Sequence, residues 1–115
     1  MTRDPNCLFC KIIAGQIPSR KVFEDDEMLV FHDVAPWAPV HVLMIPKEHV
    51  ATMYGLEDRH AALFGRMLTL APKLMQELGV TNGFRTLVNT GEDGHQEVQH
   101  VHVHVMGGPR PWAKG

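Results

Sequence analysis

Three histidines fall within five positions near the end of the chain: His100, His102 and His104, each followed by valine or preceded by it. Successive side chains of a β-strand point to opposite faces. Strict alternation therefore predicts a strand with the three imidazoles on one face and Val101, Val103 and Val105 on the other. Neighbouring histidines would sit ~6–7 Å apart, about twice the rise per residue. Neutral imidazole is a competent nucleophile toward phosphorus, and a flanking imidazolium can stabilise charge on phosphate oxygens. The row could also contribute metal ligands, although three rings on one straight strand do not converge well on one ion. A merely solvated face would mix Thr, Lys, Glu and Ser instead of repeating one residue type. The second chemical feature is Cys7-x-x-Cys10. By itself it fits zinc, a redox pair or two buried thiols, and the βα context of a thioredoxin-like redox motif is absent.

The elements that must carry these residues follow from hydrophobic pattern and turn chemistry. Residues 7–14 (CLFCKIIA) read as a short helix ended by Gly15. Residues 20–24 and 28–33 read as strands around an Asp25-Asp26 turn. Pro36 and Pro39 make 34–40 a loop, and 41–45 (HVLMI) reads as a buried strand stopped by Pro46. One long helix is predicted over 57–78, with Leu63, Met67, Leu70, Leu74 and Leu78 as its apolar stripe and Gly79 as its stop. Pro72 falls inside it and should kink or split it. Residues 85–89 read as a strand, 90–97 as a polar loop, and 98–106 as the histidine strand, ended by Gly107, Gly108 and Pro109. The order α-β-β-β-α-β-β implies an α+β domain with a largely antiparallel sheet.

Bulk numbers narrow the function. The 115 residues fit one domain, taken as 1–115 with 109–115 as a tail. Hydrophobic content of 44% and charged content of 21% are ordinary for a globular chain. A net charge of −2 gives no field that would draw nucleic acid or an anionic membrane, so a phosphate ligand needs a local site. No 18-residue apolar run predicts a transmembrane helix, and the N-terminus lacks a signal-peptide pattern, so a cytoplasmic location is expected.

The segment His100-Val-His102-Val-His104-Val-Met106 resembles the His-φ-His-φ-His-φ-φ signature of the histidine-triad nucleotide-binding family. Cys7-Leu-Phe-Cys-Lys-Ile-Ile, Ala14-Gly-Gln-Ile-Pro18, Phe31-His-Asp-Val-Ala-Pro36, Pro39-Val-His41, Ile45-Pro-Lys-Glu-His49 and His104-Val-Met-Gly-Gly108 resemble it too, in order and at family spacing. The likeness covers nearly the whole chain and is greatest to the Hint branch, which includes adenosine phosphoramidases. It implies a HIT-like fold: a largely antiparallel five-stranded sheet, one long helix and a short N-terminal helix.

The resemblance also implies roles. His102 would attack the α-phosphorus and become transiently nucleotidylated, His104 would contact the phosphate and assist the leaving group, and His100 would support the nucleophile. Asp33 would hold the ribose hydroxyls. Leu8, Phe9, Ile12, Phe31 and Val34 would surround the base, with His32 beside them, although such residues also fill ordinary cores. Asn89, Glu97 and the Val98 main-chain N–H would wall the phosphate. Trp112 would reach toward a partner subunit's site, unless it belongs to a loose tail. A structural zinc would be held by Cys7, Cys10, His49 and His100, with no organic cofactor. Partners would be a purine nucleotide of AMP or GMP type, a phosphoramidate substrate and a second copy of the chain; neither nucleic acid nor membrane is expected. Alternatives are a dinucleoside polyphosphate hydrolase and a nucleotide-binding scaffold without physiological turnover. Many relatives carry serine at the position of Glu97 and glycine at that of His95. An acid at 97 would repel phosphate and attract a cationic leaving amine; His95 has no evident role.

Overall fold

The computed structural model describes residues 3–114. Helix α1 spans Leu8–Ile13, followed by strands β1 (Lys21–Glu24), β2 (Met28–His32) and β3 (Val40–Pro46). Two 3₁₀ turns, Met53–Gly55 and Asp58–His60, lead into helix α2 (Ala61–Glu77), and β4 (Phe84–Leu87) and β5 (Val103–Gly107) complete the chain. The five strands form one sheet in the order β1-β2-β3-β5-β4, with every neighbouring pair antiparallel. The expected α+β architecture is the one observed. Among the described residues, no helix is long and apolar enough to cross a membrane.

Both faces of the central strands are covered, which explains the nearly unbroken apolar runs of β2 and β3. Met28, Val30, Val42, Met44, Val103 and Val105 pack with Leu63, Met67, Leu74 and Met75 of α2. On the other face Leu29, Phe31, Leu43 and Ile45 pack with Cys7, Phe9, Cys10 and Ile12 of α1. The period of two puts His104 on the α1 face, since its neighbours Val103 and Val105 belong to the α2 core. The valines of the histidine segment thus anchor it to the main core.

Helix α2 starts later than its hydrophobic pattern suggests. Residues 57–60 form a tight turn in which the Glu57 N–H donates to His60 Nδ1 at 2.9 Å. Pro72 neither splits nor ends the helix. Its missing N–H orphans the carbonyl of Leu68, an exposed residue whose carbonyl can turn to water. After Gly79 (φ +86°) the Val80 N–H returns to Met75 O at 2.8 Å, which closes the helix end. Arg66 pairs with Asp25 and Glu27 and so ties α2 to the β1–β2 turn.

The largest departure concerns the histidine strand. Its ladder begins at Val103, not at Val98. Strand β3 pairs with β5 only as far as Met44↔Val103, and β3 ends at Pro46. Proline has no N–H to continue a ladder. The Pro46 carbonyl is taken by the ring of His100 at 2.8 Å instead. Residues 98–100 bend away, and the Val101 N–H donates to Val50 O at 2.7 Å. The three histidines therefore do not form one straight row.

Candidate functional site

A cleft of about 720 Å³ opens on the α1 face of the sheet. Leu8, Phe9, Ile12, Phe31, Val34 and Leu43 line its apolar part, and Asp33, Asn89, Glu97, Val98, His102 and His104 line its polar part. Most of the expected nucleotide-binding residues are thus brought together. Two are not. His32 points to the opposite face from Phe31 and borders a separate hollow with Ser19 and Arg20; the strand's two-residue period separates it from the cleft. Trp112 lies outside the cleft wall: its Nε1–H donates to Gly108 O at 2.9 Å and Arg110 stacks on its ring at 3.6 Å, so it packs on its own segment. Val34 is 99% exposed, at the rim of the cleft.

Main-chain groups set the protonation of each triad ring. A carbonyl accepts only, so its imidazole partner must carry a proton at that nitrogen. His100 Nε2–H donates to Pro46 O, which leaves its Nδ1 lone pair toward the sulfurs of Cys7 (3.4 Å) and Cys10 (3.6 Å). His102 Nδ1–H donates to His100 O at 2.7 Å, which leaves its Nε2 with a free lone pair. Phe9 meets the His102 ring edge-on, with centroids 5.1 Å apart.

His104 is set through a further residue. The Trp37 N–H donates to His41 Nδ1 at 3.0 Å, so the His41 proton sits on Nε2. His41 Nε2 lies 2.8 Å from His104 Nδ1 and 3.5 Å from Asp33 Oδ2. His104 Nδ1 is then the acceptor, and its own proton sits on Nε2. His102 and His104, with ring centroids 4.9 Å apart, thus present a lone pair and an N–H side by side.

Electrostatics keep these rings neutral. Burial pushes His104 down to about 4, helped by His102 and His41 and opposed by Asp33. Burial also lowers His102, against the His100 carbonyl, Asp33 and Glu97, which raise it. His41 is lowered by burial more than Asp33 raises it. A neutral imidazole is the form that can act as a nucleophile.

The wall of the cleft that carries Gly94, His95 and Glu97 is a turn whose shape depends on small groups and one buried amide. Gln96 accepts the Gly91 N–H (2.9 Å) and donates to Ala51 O (2.7 Å) and Val98 O (2.9 Å). A Cβ at Gly94 would sit 2.4 Å from Thr90 O, so only glycine fits there. Next to it His95 adopts φ +58° and lines the cleft. Among the described residues, neither the Asn89 amide nor the Val98 N–H has a hydrogen-bond partner, so both remain available to a ligand.

Cys7, Cys10, His49 and His100 converge behind the triad, with their ligand atoms all within 4.8 Å of one another. Cys10 Sγ lies 3.4 Å from His49 Nδ1. With Zn–S near 2.3 Å and Zn–N near 2.05 Å, a tetrahedral site has S···N edges of about 3.6 Å. The set therefore fits a tetrahedral cation, and Cys7 as N-cap of α1 presents its sulfur to the Cys10 N–H at 3.4 Å. Burial raises the Cys7 thiol and takes His100 down to about 4. Asp33, His41 and His104 also cluster. There a cation on His41 Nε2 would require an imidazolate, because Nδ1 already accepts from Trp37, so that cluster is a hydrogen-bonded relay.

His41 and Trp37 are the residues that sequence reasoning missed. The signal for His41 was a histidine in an otherwise apolar strand. It is 2% exposed, and such a residue needs partners. Trp37 was hidden within the Pro36–Pro39 loop.

A family model described as HIT domain matches residues 14–110. The chain is 43% identical over 107 residues to the adenylylsulfatase HINT1 of Arabidopsis thaliana, covering 91% of this chain and 73% of the plant protein. It is 43% identical over 103 residues to a 14 kDa zinc-binding protein of Brassica juncea, covering 88% and 91%. The crystal structure of a HIT family hydrolase from Legionella pneumophila superposes with a TM-score of 0.87 at 45% identity, covering 91% of this chain and 95% of that one.

Proposed function

The chain belongs to the HIT domain family, and from that premise we propose that it hydrolyses purine nucleoside 5′-phosphoramidates through a nucleotidyl-His102 intermediate. The observation that carries this reading is the His102 Nδ1–His100 O bond of 2.7 Å, which frees Nε2 for attack. The purine lies among Leu8, Phe9, Ile12, Phe31 and Leu43, and Asp33 accepts from the ribose hydroxyls. Asn89, the Val98 N–H and His104 Nε2–H donate to the α-phosphate oxygens. The substrate nitrogen takes a proton from solvent, the His102 Nε2 lone pair forms a bond to phosphorus as the P–N bond breaks, and the neutral amine leaves. Nucleotidylated His102 is cationic, and the His100 carbonyl on Nδ1–H stabilises it. Water then attacks phosphorus and gives a proton back to solvent as the P–His102 bond breaks, which restores the Nε2 lone pair and releases the monophosphate. Net, water gives hydroxyl to phosphorus and a proton to the amine. Replacing one P–N bond by another divides a hard step into two easier ones.

Cys7, Cys10, His49 and His100 would hold zinc, supported by the Brassica juncea relative's name and by the ligand spacing. The ion would be structural: it neutralises the thiolates and fastens α1 to the turn that carries His100. We also expect a homodimer, on family analogy alone, and a cytoplasmic location. Glu97 at the cleft mouth favours cationic leaving amines, and the ratio of lysyl to alkyl phosphoramidate turnover should fall in Glu97→Ser; an unchanged ratio discards this role.

A second reading has support in the adenylylsulfatase relative: the same attack with sulfate as leaving group. Turnover of adenosine phosphoramidate, adenylyl sulfate and diadenosine polyphosphate by the purified protein separates the readings. We expect the phosphoramidate to be hydrolysed with the highest kcat/KM. A faster reaction with either of the others would replace this reading, and turnover of none would favour a nucleotide-binding scaffold.

A further inference from the structure

Trp37 is half-buried between two prolines and lines the cleft. Its main chain contacts His41, and its side chain contacts both His41 and His104. The N–H donates to His41 Nδ1 at 3.0 Å. The indole lies nearly parallel to the His104 ring, at 19° with centroids 5.0 Å apart. It also meets His41 edge-on, at 62° and 5.3 Å. Trp37 O accepts the Lys114 N–H at 3.2 Å, and Lys114 Nζ lies 4.9 Å from the indole centroid.

Among the described residues, the His104 ring has one hydrogen bond, from His41 to Nδ1. That bond fixes which nitrogen bears the proton but leaves the ring free to tilt about it. The His102 ring meets His104 obliquely, at 60°, and gives no flat surface to lie against. The indole is the flat surface. We propose that Trp37 is a positioning residue whose stacked indole holds the plane of His104, so that its Nε2–H stays aimed at the α-phosphate. This rests on the reading of the cleft given above. A donor contributes to a transition state only when it is already in place, and a misaimed N–H loses that contribution without weakening ground-state binding much.

The main-chain N–H survives any side-chain exchange other than to proline, so Trp37→Phe and Trp37→Leu isolate the ring. Both keep apolar bulk; only phenylalanine keeps a stacking face. A stacked pair is worth enough to account for a rate change of about three- to tenfold. We expect Trp37→Leu to lower kcat on adenosine phosphoramidate about tenfold with KM within about twofold, and Trp37→Phe to recover most of the rate. Leucine and phenylalanine variants that are equally impaired, or a leucine variant with unaltered kcat, would overturn the proposal. Should wild type fail to turn over phosphoramidates, the reaction assigned above falls, but the positioning role can still be read. In ¹⁵N-histidine spectra the His104 Nε2–H should give a defined signal in wild type and Trp37→Phe and a broadened one in Trp37→Leu. An identical signal in all three would overturn it independently.

Discussion

His41 Nε2 lies 2.8 Å from His104 Nδ1, and this one contact decides where His104 carries its proton. Because the Trp37 N–H occupies the other side of His41, the relay runs in one direction, from main chain through His41 to His104 and into the cleft. His104 is thereby a neutral donor. Adding a second proton to it would force His41 to give up its own. The chemistry assigned to His104 is hydrogen bonding to phosphate, and the substrate's nitrogen takes its proton from solvent.

Removing the relay should cost rate before affinity. His41→Leu leaves His104 free to choose its tautomer and leaves the Trp37 N–H without an acceptor. We expect kcat to fall by about 10- to 100-fold and Tm to drop by roughly 4–8 °C, the effect of an unsatisfied buried donor worth about 1–2 kcal/mol. His41→Gln, which can accept and donate along the same line, should lose less of both. Steady-state kinetics and thermal unfolding measure this; a leucine variant with wild-type kcat would remove His41 from the mechanism.

Protein purified without added metal should contain about one zinc per chain, from the four-ligand count of a structural site. Cys10→Ser should lose the metal and several kcal/mol of stability, since binding energy at such a site is folding energy. Elemental analysis and urea unfolding test both. Metal-free protein of undiminished stability would contradict the structural role.

Acid should destabilise the fold through His104. Its pKa is about 4 in the folded protein against 6.5 in the unfolded chain. Below 6.5 the unfolded chain binds the extra proton first. The stability is therefore complete above pH 6.5 and is lost as pH falls toward 4, by an amount on the order of 3 kcal/mol. Urea unfolding of wild type and His104→Gln across pH 4–7 checks it. The variant should lack this part of the slope; parallel profiles would show that His104 does not contribute.

What could be read in advance follows physical range. Local pattern gave most of the strands and α1, because alternation, turn residues and a stop glycine act within a few positions. The chemical types of His100, His102 and His104 were equally plain. Their division was not, because it depends on Pro46 ending a ladder 54 residues away and accepting the His100 ring. The resemblance suggested that Cys7, Cys10, His49 and His100 meet, but spacing alone could not bring them together. His41 escaped notice because its neighbours Val42, Leu43 and Met44 describe an apolar strand, and Trp37 because prolines mark a loop without saying what it rests on. Pro72 misled for the opposite reason: a local rule against helix interiors gave way where the orphaned carbonyl belongs to an exposed residue, Leu68.

The central claim is that His102 Nε2 becomes bonded to phosphorus. Rapid acid-free quenching of the protein during turnover of adenosine phosphoramidate, followed by intact-mass and peptide analysis, reads it directly. We expect a transient adduct of one adenylyl group per active site, located on His102 and absent from His102→Ala, which should also lose turnover while still binding AMP. Turnover that survives in His102→Ala, or an adduct located on another residue, would contradict the account.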